Sequence, residues 1–152
     1  MKKLEKIIGY TFKNKNTLLT AVTHSSFANE SKDKAIVSNE RLEFLGDSVL
    51  GFVTADYIFS LYKHVPEGEL TRLRASVVCE QALYEVAKSM ELTRFLRLGR
   101  GETMNKGGER PSILSDAVEA IIGAVYIDGG IESARTFVLS FLKTAVETAI
   151  KG

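Results

Sequence analysis

The stretch Ser112 to Tyr126 is apolar on nearly every side, yet Asp116 and Glu119 sit inside it. An apolar run at helical period with no polar face predicts a helix buried in the middle of a fold. Residues three apart share a helix face, so the two carboxylates point the same way. Between 117 and 125 Glu119 is the only charge, which leaves no face for water. An unpaired carboxylate buried this way is costly, or it takes up a proton. The chain must therefore wrap this helix in other elements and give its carboxylates a partner.

The remaining segments are mostly helical in period, and alternating strand-like runs are scarce. Helices are expected near 3–8, 16–22, 40–62, 67–78, 80–90, 112–127 and 131–149, with short helical pieces around 93–98. Two loops separate them. Ser25 to Asn39 is polar, and Gly99 to Pro111 holds four glycines and several charges. Asn39, or Ser38 before it, is expected to cap the 40–62 helix, and Ser112 the helix after Pro111. Gly129-Gly130 is expected to end that helix. The fold class is all-α, with too many helices for a four-helix bundle.

A second set of carboxylates lies in the 40–62 helix. Glu40, Glu43 and Asp47 are three and four apart and line one face, beside an apolar stripe of Leu42, Leu45, Val49, Phe52 and Val53. The helix dipole favours Glu40 in the first turn but does not explain Asp47 two turns in. Gly46 and Gly123 would let the two helices approach closely and bring the acidic pairs together. Carboxylates clustered so repel strongly unless a divalent cation sits among them. Oxygen-only ligands favour Mg²⁺ or Mn²⁺. His24 and His64 are isolated, which disfavours zinc and the Glu-x-x-His di-iron sites. A hard-metal carboxylate centre suits phosphoryl chemistry.

Composition excludes several classes. At 152 residues and 45% hydrophobic the chain is one ordinary globular domain rather than a disordered segment. Its single cysteine, Cys79, cannot form an internal disulfide; it is read as a buried thiol, and a reducing cytoplasm fits. No stretch approaches the ~20 apolar residues of a membrane span, Ala120 to Ile127 being the longest clean run, so no membrane partner is expected. The formal charge of +1 argues against bulk electrostatic grip on nucleic acid. Local asymmetry says otherwise: Arg94, Arg97, Arg100, Lys106 and Arg110 stand against Glu102 and Glu109, making a flexible basic loop ahead of Asp116. Arg97, Arg100, Lys106 and Arg110 are candidate phosphate contacts, with Arg72 and Arg74 as weaker ones. The adjacent His24, Ser25 and Ser26 read as capping or packing rather than as a nucleophilic triad.

Asn39-Glu40-Arg41-Leu42-Glu43-Phe44-Leu45-Gly46-Asp47-Ser48-Val49 resembles the signature motif of the ribonuclease III family. Three further blocks agree in order and spacing: Thr23 to Glu30, Glu67 to Ala75, and Pro111 to Ala124. The resemblance covers essentially the whole chain, 1–152, and is of the bacterial type. It implies the ribonuclease III endonuclease fold, a homodimer in the cytoplasm, and metal-dependent hydrolysis of double-stranded RNA to 5′-phosphate and 3′-hydroxyl ends in rRNA and mRNA processing and decay. It implies Glu43, Asp47, Asp116 and Glu119 as metal ligands, with Asp47 and Glu119 as the catalytic pair and Mg²⁺ as the cofactor, Mn²⁺ substituting. Glu40 and Glu67 match two further acidic positions that assist cleavage, although a dipole-favoured glutamate after Pro66 explains Glu67 equally well. Phe44 matches a dimer-contact position or is ordinary core. A C-terminal double-stranded RNA-binding domain is expected in the family and absent after Gly152, as for a piece of a longer protein. The alternatives are a non-catalytic dimeric RNA-binding module and a stand-alone miniature ribonuclease III acting on rRNA; a carboxylate oxygen-chemistry protein would want histidine ligands.

Overall fold

Two long helices organise the molecule. In the computed structural model, which describes residues 1–151, α4 (Glu40–Leu61) packs along the first half of α8 (Pro111–Lys151). Around them lie α1 (Lys2–Ile8), α2 (Lys15–Ala21), α3 (Ser25–Glu30), α5 (Glu67–Val78), α6 (Glu80–Ser89) and α7 (Arg100–Met104). Short 3-10 turns occupy Leu92–Phe95 and Gly107–Glu109. Among the described residues the only β-type pairing is an isolated bridge between Thr23 and Arg97. The architecture is all-α.

The sequence pattern of α8 has the structural meaning read from it. Every residue from Ala117 to Val125 is buried, Glu119 included. α2, α5 and α6 join α4 in covering it. At Gly130 the backbone leaves the helix with φ 85° and ψ 178°, as expected for a stop at Gly129-Gly130, and a second helical stretch of α8 runs on from there towards Lys151.

α4 is one-sided by contrast. Gly46, Val49, Leu50, Val53, Thr54 and Ile58 face inward, while Phe44, Phe52 and Phe59 lie on the outside. Phe44 is 75% exposed, so it is not core, and Phe52 leaves the expected inward stripe. α4 is also long and apolar enough, by length and composition, to cross a membrane, which the sequence reading missed.

Three local expectations change. α3 and α7 fold inside the two segments read as loops. α8 starts on Pro111 as its first residue, so Ser112 lies within the helix rather than capping it; proline suits that place because its missing N–H would be unpaired there anyway. Cys79 is the hinge between α5 and α6 and is exposed, not buried. At the start of α4, Ser38 Oγ accepts from the Glu40 N–H at 3.4 Å, whereas the Asn39 amide donates to the Ala21 carbonyl and ties α4 to α2.

Candidate metal centre

The crossing of α4 and α8 is backbone on backbone. A Cβ on Gly46 would overlap the Glu119 carbonyl oxygen, and one on Gly123 would collide with the Leu42 carbonyl. Glycine at both positions is thus a steric requirement of the crossing. Glu43 and Asp47 flank Gly46 on one helix; Glu119 lies one turn before Gly123 on the other, and Asp116 three residues earlier. Close approach therefore presses the two acidic pairs against each other.

The resulting geometry is tight. One carboxylate oxygen each from Glu43, Asp116 and Glu119 lie within 4.8 Å of one another. Oxygens around a single octahedral Mg²⁺ stand roughly 3–4 Å apart, so small side-chain rotations bring these three to one cation. Asp47 is not one of these three, but it lies close enough to Glu119 to act on its carboxyl. Glu119 is the floor of the site at 8% exposure, Glu43 is half-buried, and Asp47 and Asp116 open to solvent.

Electrostatics report the crowding. The Glu119 carboxyl is pushed up to about 9, first by burial and then by Asp47 and the charges of Glu43 and Asp116. Burial also raises Glu43, helped by the charges of Asp116 and Asp47. Asp116 is raised by burial and by Glu80 at the start of α6, while His24 pulls it back. A hard divalent cation answers this excess of carboxylate, and the donor set fits one.

Residues 14–146 of the sequence match the Ribonuclease-III-like family. This chain belongs to the ribonuclease III family. It is 51% identical over 147 residues to Ribonuclease 3 of Clostridium perfringens, covering 97% of this chain and 61% of that protein. Ribonuclease 3 of Caldanaerobacter subterraneus is 49% identical over 149 residues, 98% of this chain and 65% of that protein. The chain thus spans somewhat under two thirds of the length of these curated relatives. The nuclease domain of ribonuclease III from Campylobacter jejuni superposes with a TM-score of 0.87 at 44% identity, covering 95% of this chain and 96% of that one. That structure concerns flexibility in a region involved in dimer formation of its own protein.

Not every site residue expected from the ribonuclease III resemblance joins the cluster. Glu40 sits one turn away, exposed, with Ser38 Oγ donating to its carboxylate at 2.9 Å. Glu67 begins α5 beside Phe59 and Arg74, near the far end of α4. Glu43 and Phe59 stand sixteen positions apart, about 24 Å of helix, so Glu67 and the cluster are well apart within one chain. Of the basic candidates, Arg97 is committed elsewhere: its Nε donates to Thr23 Oγ1 at 3.0 Å and its guanidinium lies 4.6 Å over the Phe27 ring. Arg110 leans towards Glu102 at 3.9 Å. Arg100 and Lys106 are exposed.

Two neighbours escaped the sequence reading. Glu80 and His24 both act on Asp116, from α6 and from the start of α3. Glu80 carries no signal of this, since it looks like any acidic first turn. His24 caps α3, its Nδ1 accepting from the Ser26 N–H at 3.1 Å, in keeping with the capping role read for it.

Proposed function

We propose that the chain is the nuclease domain of a divalent-metal-dependent endoribonuclease that cuts double-stranded RNA. The observation that carries this is the meeting of Glu43, Asp116 and Glu119, with Asp47 beside them, at the crossing of α4 and α8 in a chain of this family. Glu119, Glu43, Asp116 and Asp47 would hold the cation. When bound, Mg²⁺ polarises a phosphodiester, acidifies a water and stabilises the leaving oxygen. Asp47, exposed beside Glu119, would orient the attacking water. The products are 5′-phosphate and 3′-hydroxyl ends, and Mn²⁺ substitutes.

The active form is a homodimer joined through the outer face of α4. Phe44 stands 75% exposed at a groove of about 880 Å³ lined mainly by apolar surface, with Leu42, Leu45, Val37 and Ile127 in its walls. A two-fold arrangement would set two acidic centres across one cleft, matching the two strands of A-form RNA. Arg100 and Lys106 contact phosphates, while Glu40 and Glu67 assist cleavage from outside the cluster. The protein acts in the cytoplasm in RNA processing and decay.

The test is cleavage of a labelled RNA duplex with and without Mg²⁺, beside single-stranded RNA and duplex DNA. Mg²⁺-dependent products from duplex RNA alone are expected. Cleavage unaffected by chelation, or binding without products, would remove the nuclease reading.

A further inference from the structure

α7 is five residues long, far too short to persist on its own helical propensity. It nevertheless presents Arg100, Met104 and then Lys106 outward, with Met104 82% exposed. What holds it is α3. Ser26 Oγ accepts from the Gly99 N–H at 2.8 Å, and Glu30 Oε1 accepts from the Arg100 N–H at 3.0 Å. Gly99 is seated so deeply that a Cβ there would overlap the Glu30 carboxylate and stand 2.7 Å from the Ser26 carbonyl. Two hydrogen bonds and a glycine-only contact thus fasten one short helix to another.

The same fastening reaches towards the acidic centre. Ser26 Oγ also lies 2.8 Å from Nδ1 of His24, a neighbour of Asp116. From the other end of the arm the turn Gly107–Glu109 packs on α8, with the Gly108 carbonyl accepting from Thr93 Oγ1 at 2.6 Å. The basic arm is therefore fixed at both ends, beside the helix that carries Asp116 and Glu119.

We propose that Ser26 and Glu30 are positioning residues that latch the α7 arm next to the acidic centre, and that the latched arm governs how tightly duplex RNA is held rather than how fast it is cut. The proposal rests on the nuclease reading. Releasing the arm leaves the carboxylate cluster intact, because neither residue touches it. It lets Arg100 and Lys106 wander, so phosphate contacts must be bought with ordering entropy at each binding event.

The experiment uses the full 152-residue chain. Glu30→Ala is expected to raise KM for duplex RNA about tenfold with kcat within about twofold, the scale of losing one hydrogen bond to a charged group. Glu30→Gln keeps an acceptor for the Arg100 N–H and is expected to restore KM to near wild type. Ser26→Ala should move KM in the same direction. An unchanged KM, a kcat that falls in step with it, or a Glu30→Gln variant as impaired as Glu30→Ala would overturn the proposal. Amide hydrogen exchange supplies a readout without RNA: residues 99–110 should exchange faster in Glu30→Ala while α4 and α8 stay protected. Unchanged exchange there overturns the latch itself. If the wild-type chain cuts no RNA, the nuclease reading fails, and the exchange data still decide whether the latch exists.

Discussion

Glu119 is a carboxylate held where a charge is unwelcome. Its pKa of about 9, against an ordinary 4.5, arises first from burial and then from Asp47, Glu43 and Asp116. A folded-state pKa raised above the unfolded value favours the fold most below the unfolded value. That contribution is lost as pH rises from 4.5 through about 9. Without metal, Glu119→Gln should thus melt higher than wild type at alkaline pH, with the gap closing towards about pH 5. Each kcal/mol is worth about 2–4 °C in Tm for a chain of this size. Mg²⁺ should reverse the order, raising the wild-type Tm and leaving the variant unmoved, because ligand binding to the folded state stabilises it. Thermal melts at two pH values with and without Mg²⁺ check this. A variant that melts below wild type throughout would mean that Glu119 is not crowded by its neighbours.

At the scale of elements, the decisive contact is Gly46 on Glu119 and Gly123 on Leu42. Ordinary overpacking costs about 1–3 kcal/mol. Gly46→Ala should exceed that range, since its Cβ meets rigid helix backbone rather than a side chain that can turn away. Chemical denaturation would measure the loss, and a variant as stable as wild type would mean that the helices do not cross so closely. A second inter-element tie joins the N-terminal segment to α8. Asp128 accepts from the Tyr10 hydroxyl at 2.7 Å, the Lys13 N–H at 2.7 Å and the Asn14 N–H at 3.0 Å. Burial pushes its carboxyl up, but these hydrogen bonds outweigh it and hold the carboxyl below the usual range. Asp128→Asn should destabilise by about 1–3 kcal/mol near neutral pH. The difference should shrink as pH falls through the carboxylate range, because a depressed pKa stabilises only above it. A loss that stays constant down to acid pH would contradict the ionic part of this tie.

These elements also show what a sequence discloses. The α4–α8 crossing was legible because carboxylates in apolar helices and glycines inside them are each unfavourable alone, and a close approach of the two helices brings both together. α3 and α7 were not legible, because five- and six-residue helices have too little periodicity to register and are held by distant partners such as Glu30 on Arg100. The same non-locality misplaced Cys79, whose exposure depends on the bend between α5 and α6. Likewise Arg97 reads as a free cation in sequence, although Thr23 and Phe27 engage it in space.

On the scale of the whole molecule, the outer side of α4, with Phe44 and its groove, is an uncovered apolar face. If that face joins two copies, Phe44→Ala should weaken the dimer by about two orders of magnitude, the scale of truncating a buried aromatic anchor. Light scattering at micromolar concentration would then report a monomer where wild type is dimeric; a monomeric wild type that still cuts RNA would contradict the two-centre cleft.

The centre itself is tested most directly by duplex-RNA cleavage in saturating Mg²⁺ with Glu119→Ala beside wild type. Loss of at least about a thousandfold in rate, with circular dichroism and Tm showing the variant folded, is the expected result for removing the buried ligand of an essential cation. A folded Glu119→Ala that cleaves at the wild-type rate would contradict the assignment of this carboxylate cluster as the catalytic metal centre.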